Sequence, residues 1–142
     1  MQRGFTRPGI RALAAVGKRD LSSISAQDLG FAIGPRLNAA GRLEDMSVGI
    51  RCLMTEDESE AKQLAGSLDV LNQTRRHLQQ DMVADAELIV SQFEVGEQAT
   101  GLSVYHESFH QGVVGIVAGR LREKFHRPAI VFADAGGLAP DE

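Results

Sequence analysis

The chain has 142 residues, 43% of them apolar, with a net charge of −4, one Tyr and no Trp. That length suits one domain or two small pieces of larger ones. The charge excludes a free-standing nucleic-acid binder of the strongly basic kind, and few aromatic platforms are on offer for stacking bases. Cys52 is the only cysteine, which excludes an intrachain disulfide and a cysteine-based zinc site, and its apolar setting predicts a reduced core thiol. No apolar stretch follows Met1-Gln2-Arg3-Gly4, and none reaches the ~18 residues of a membrane span, so the reading is a soluble, cytoplasmic protein without a membrane partner.

Charge is distributed unevenly. Arg3, Arg7, Arg11, Lys18 and Arg19 gather near the start, followed by Arg36 and Arg42, whereas Glu56, Asp57, Glu58 and Glu60 come later. Any polyanion site therefore belongs to the N-terminal third.

Arg7-Pro8-Gly9 reads as a turn and Ile10 to Val16 as a short helix contacting the core through Leu13 and Val16. Ser25-Ala26-Gln27-Asp28 has the form of a capping box. Gly34-Pro35 then punctuates the chain, with Pro35 opening a helix. On that helix Asn38 and Arg42 lie one turn apart on one face, and Arg36 sits near the anion-favouring N-terminus. Small residues around them, Ala39, Ala40 and Gly41, leave room for close approach. Two readings stand: a phosphate-binding element, since guanidinium forks suit phosphate, or an ordinary helix start with Arg42 paired to Glu44 or Asp45.

Ser47 is placed to cap a helix through Met54, and Asp57 to cap another with acids in its first turn. Apolar residues then recur in steps of three and four from Ala61 to Phe93, uninterrupted by proline. One helix from about residue 58 to about 93 follows, either bridging two domains or forming a coiled coil. The polar centre from Asn72 to His77 breaks the stripe and favours bridging.

After a loop from Gly96 to Gly101, a strand to Tyr105, a helix from Gly112 to Phe125 and a strand from Pro128 to Ala133 make a βαβ unit with parallel strands. His110 precedes the helix at the carboxyl end of the first strand, where open α/β sheets bind ligands. It serves a phosphate or leaving oxygen there, or simply bonds local backbone. Gly112, Gly115 and Gly119 bare one helix surface, for close packing or ligand approach. A parallel sheet needs both faces covered, so exposed apolar surface and self-association are expected around Val104, Ile130 and Phe132. The tail from Asp134 to Glu142 is loop-like.

The runs Gly34-Pro35-Arg36-Leu37-Asn38-Ala39-Ala40-Gly41-Arg42 and His110-Gln111-Gly112-Val113-Val114-Gly115-Ile116-Val117-Ala118, in that order across a long helix, resemble the RecJ-type single-strand-specific exonucleases of the DHH phosphoesterase superfamily. Arg7-Pro8-Gly9-Ile10, Leu71-Asn72-Gln73-Thr74-Arg75 and Phe125-His126-Arg127-Pro128 support the resemblance, which covers nearly the whole chain. It implies an α/β fold: the end of a DHH catalytic lobe (1–56), a long connecting helix (57–95) and the first βαβ unit of a DHH-associated domain (96–142). It implies 5′-to-3′ hydrolysis of single-stranded DNA in repair and recombination, with Mn²⁺ or Mg²⁺ in the parent enzyme. Arg36, Asn38 and Arg42 would line the cleft and bind DNA phosphates. His110 and Arg120 would contact the scissile region or the strand, unless Arg120 only pairs with Glu123.

The chain departs from that pattern by omission. It has no Asp-His-His run, and Gly136-Gly137 is followed by Leu138 rather than His. The expectation is an internal fragment, inactive alone and without metal ligands of its own. The alternatives are a non-catalytic single-strand-binding module, another DHH-type phosphoesterase, or an interaction protein built on the long helix.

Overall fold

The computed structural model describes residues 6–93 and 100–135. Arg3, most of the expected Gly96–Gly101 loop and the tail from Gly136 onward lie outside the described residues. The chain divides into two compact units, Met1–Arg75 and Arg76–Glu142.

The first unit is helical. α1 spans Pro8–Val16, so Arg7-Pro8-Gly9 is a helix start rather than a separate turn. Proline suits that first turn because its missing N–H would be unpaired there anyway. Gly9 faces α4 (Ser47–Met54) so closely that a Cβ would lie 1.7 Å from the carbonyl oxygen of Cys52. The expected capping box is present: Ser25 Oγ accepts from the Asp28 N–H at 3.2 Å, and Asp28 Oδ2 accepts from the Ser25 N–H at 3.0 Å.

From that box the chain stays helical through α2 (Ala26–Asp28), a π segment (Leu29–Ile33) and α3 (Gly34–Leu43). Gly34-Pro35 therefore does not punctuate the chain. In an α-helix Pro35 would leave the carbonyl four residues back unpaired and push its ring against it. The wider π turn, with the Gly34 N–H bonded to the Leu29 carbonyl, accommodates the proline without ending the run. α4 also starts differently from expectation. Asp45 accepts from the Ser47 N–H at 3.0 Å and from Ser47 Oγ at 2.9 Å, so Asp45, not Ser47, supplies the capping oxygen.

α5 spans Glu58–Gln92, 35 residues and about 52 Å at ~1.5 Å per residue. Asp57 caps it as expected, accepting from the Glu60 N–H at 2.7 Å. The division between the units falls at Arg75, inside the polar centre of the helix. The first unit's core gathers Leu13, Ile33, Cys52 and Leu68 with Ala14, Ala40, Ala61 and Ala65. The small residues let the helices approach closely, and burial pushes the Cys52 thiol up.

In the second unit β1 (Leu102–Tyr105) pairs in parallel with β2 (Ala129–Phe132), Val104 opposite Val131. α6 (Val114–Phe125) joins them. It ends at His126, which takes the left-handed conformation (φ 52°), with Pro128 soon after, both helix-stopping features. Leu102, Val104, Val117, Leu121 and Val131 pack with Met82, Ala86 and Val90 of α5. Val104 is thus on the covered face, contrary to expectation, because alternate strand residues point to opposite sides. Tyr105, Ile130 and Phe132 are exposed on the other.

Candidate nucleic-acid interface

Arg36 is fixed from three sides. Its Nε donates to Asp69 Oδ1 at 2.8 Å, Nη1 to the Ala32 carbonyl at 2.5 Å and Nη2 to the Val16 carbonyl at 3.2 Å. Nη2 also lies 2.8 Å from Asp69 Oδ1, and the side chain is only 14% exposed. Asp69 is braced in turn by Gln73 Nε2 at 2.8 Å. The guanidinium thus ties α3 to α5 and to the end of α1. Arg36 is also not at an open helix N-terminus, because the π segment runs into α3.

Asn38 and Arg42 stand one turn apart on α3, as the spacing predicts, and both are exposed. Arg42 falls in the last turn, where a cation complements the helix dipole. The buried Ala39 and Ala40 anchor the opposite side in the core. Of the two carboxylates expected near Arg42, Asp45 holds Ser47 as its hydrogen-bond donor, and those bonds hold its carboxyl below the usual pKa of an aspartate.

In the second unit His110 is half-buried. Its Nδ1 accepts from the Gly112 N–H at 3.0 Å, which leaves Nε2 as the nitrogen available to donate. Its own N–H points at Met82 Sδ, 3.3 Å away. The local-backbone reading of His110 is therefore realised at one nitrogen and leaves the other as a donor. Arg120 is exposed and pairs with Glu123 at 3.1 Å. It also lines a shallow groove of about 300 Å³ with Gln79, Gln80, Val83, Ala84 and Glu87.

A Cβ at Gly115 or Gly119 would meet nothing within 4 Å. These two glycines do not serve close packing within the described residues; that reading is corrected.

Sequence reasoning missed a polar cluster at the carboxyl end of the strands. Tyr105 Oη donates to Asp134 Oδ1 at 2.8 Å, and the carboxylate raises the phenol's pKa above its ordinary value. His106 Nδ1 lies 2.8 Å from Ser108 Oγ, and its ring packs 5.6 Å from that of Phe109. The signal was their position just after parallel strands.

Among the described residues, no three or more His, Cys, Asp and Glu side chains are grouped as metal ligands. The described residues therefore do not by themselves form a divalent-metal centre. Among them too, no helix is long and apolar enough to cross a membrane.

No protein-family model matches the chain. The chain is 52% identical over 135 residues to the single-stranded-DNA-specific exonuclease RecJ of Salmonella typhimurium, a match covering 94% of the chain and 23% of that relative. It is 37% identical over 129 residues to the protein of the same name from Bacillus subtilis, covering 91% of the chain and 16% of the relative. A crystal structure of exonuclease RecJ bound to manganese superposes with a TM-score of 0.77 at 33% identity, over 90% of this chain and 31% of that one. RecJ from Thermus thermophilus in complex with Mg²⁺ gives 0.76 at 32%, over 89% and 19%. The chain spans less than a quarter of the length of these curated relatives.

Proposed function

The chain corresponds in sequence and in fold to one segment of the RecJ exonuclease family, and we propose that its parent protein hydrolyses single-stranded DNA in the cytoplasm with Mn²⁺ or Mg²⁺. Within that activity the chain's own part is to hold the strand. The observation that carries this reading is the exposed Asn38–Arg42 pair, one turn apart on a helix whose other side is locked in the core.

Arg42 supplies a planar fork of donors for phosphate oxygens, and Asn38 a neutral donor one turn away. Neither reads base identity, so affinity is sequence-independent and falls with salt. Arg36 contributes differently from its two neighbours. With its donors on Asp69, Ala32 and Val16, it anchors the helix that presents them.

In the second unit, His110 Nε2–H and Arg120 offer separate contacts to the strand. Orientation of His110 by the Gly112 N–H supports that role. On this reading the chain by itself holds the strand and does not cut it.

Incubation of the chain with 3′-labelled single-stranded DNA and Mn²⁺ tests this division of labour. Binding without shortening of the label-bearing strand is expected. Progressive trimming would show that the chain cuts by itself and would overturn it.

A further inference from the structure

We infer that Phe31 is a stacking platform for a base of the single strand whose phosphates Asn38 and Arg42 hold; the inference rests on the reading of that pair given above. Phe31 is 75% exposed, more than any other large apolar side chain among the described residues. Single exposed apolar residues are ordinary on protein surfaces, so exposure alone means little. Its placement is what matters.

Phe31 lies in the middle of the π segment that leads into α3. Its flanks diverge: Ala32 and Ile33 are buried, whereas Gly30 is exposed and a Cβ there would meet nothing within 4 Å. The ring thus stands out from an anchored backbone with open space beside it. Phe31, Asn38 and Arg42 are among the exposed positions of the helical run; Asn38 and Arg42 are one turn apart, and Phe31 precedes Asn38 by less than two turns across the wider π segment, which keeps the three on broadly the same side. At ~1.5 Å per residue, Asn38 lies roughly 10 Å along the axis from Phe31 and Arg42 roughly 6 Å further. A base on the ring leaves its backbone free to run along the helix toward the two polar side chains.

The chemistry suits a single strand. Every base offers a π face, so an aromatic ring adds affinity without adding sequence preference. In a duplex those faces are stacked on their neighbours. An aromatic platform beside phosphate donors therefore selects unpaired strands, which a cationic ridge alone does not do. π turns are found often at functional sites, and here the turn carries the most exposed large apolar side chain among the described residues.

The test compares binding of the full chain, at low salt, to an oligothymidylate and to an abasic oligomer of the same length. The wild-type chain is expected to prefer the base-bearing strand by about 5- to 100-fold. Phe31→Ala is expected to abolish that preference while leaving abasic binding unchanged. Phe31→Trp keeps the preference and introduces the only tryptophan of the chain; its fluorescence is expected to be quenched by oligothymidylate and not by the abasic strand. A preference that survives in Phe31→Ala, or a tryptophan signal in Phe31→Trp that is indifferent to bases, would overturn the stacking role. Equal wild-type binding to both strands overturns stacking alone and leaves the phosphate reading intact. Binding to neither overturns the phosphate reading and stacking with it.

Discussion

Arg36 and Asp69 are 33 residues apart in sequence and joined through a carboxylate oxygen 2.8 Å from both Nε and Nη2 of the guanidinium. The pair is mostly shielded, Arg36 at 14% and Asp69 at 23% exposure. Removing the arginine strands Asp69 and leaves the Val16 carbonyl short of a donor. Arg36→Ala is expected to lower stability by about 2–4 kcal/mol, near that of other broken buried pairs. Lys should rescue little, since it lacks the fork. Arg42→Ala, on the exposed side, should change stability by less than about 0.5 kcal/mol. Urea unfolding of the three variants measures this; equal losses at 36 and 42 would contradict it.

Gly9 gives a second stability prediction. A methyl group there would overlap the Cys52 carbonyl oxygen at 1.7 Å, and backbone rather than a flexible side chain must move. Gly9→Ala should cost about 3 kcal/mol, at the upper end for overpacking. By contrast Gly115→Ala, with no neighbour within 4 Å, should gain up to about 1 kcal/mol from helix propensity. Thermal melts that moved both variants in one direction would refute the packing argument.

The legibility of the sequence varied with the range of the interactions. The Asp57 cap, the Ser25–Asp28 box and the limits of α5 were readable because they depend on neighbours a few residues away. The parallel pairing of β1 and β2 followed from spacing alone. The continuity through Gly34-Pro35 was not readable, since a proline is an ordinary stop unless a π turn absorbs it. Nor was the inward commitment of Arg36, because Asp69 is distant in sequence. Val104 shows a finer limit: the strand was evident, but which alternate residues faced the helices depended on packing with α5 and α6.

Acid should weaken the first unit. Hydrogen bonds from Ser25 to Asp28 and from Ser47 to Asp45, and those from Thr55 and Arg51 to Glu60, hold these carboxyls below their ordinary values. A carboxyl with a depressed folded pKa binds fewer protons folded than unfolded. Its contribution is complete above the unfolded value and is lost as pH falls through the folded one. Stability of this unit should therefore be level from neutral pH to about pH 5 and decline below roughly pH 4.5. Asp28→Asn with Asp45→Asn should shallow that decline; an unchanged pH profile in the double variant would count against these bonds.

The uncovered side of the sheet predicts self-association. Tyr105, Ile130 and Phe132 are 53%, 58% and 51% exposed on a parallel sheet, a type that usually has both faces buried. Sedimentation should show an average mass rising with concentration, and Ile130→Thr with Phe132→Thr should suppress the rise. A monomer at all concentrations would contradict this.

The claim that Asn38 and Arg42 hold phosphates is tested most directly by a salt titration of single-stranded DNA binding. Wild-type affinity should fall linearly on a log–log plot as salt rises. Arg42→Gln should weaken binding and reduce the slope by about 0.7, the loss of one phosphate contact on a single strand. The variant must remain as stable as the wild type, which its exposed position favours. An Arg42→Gln chain that binds as tightly as the wild type, with the same slope, would contradict the account.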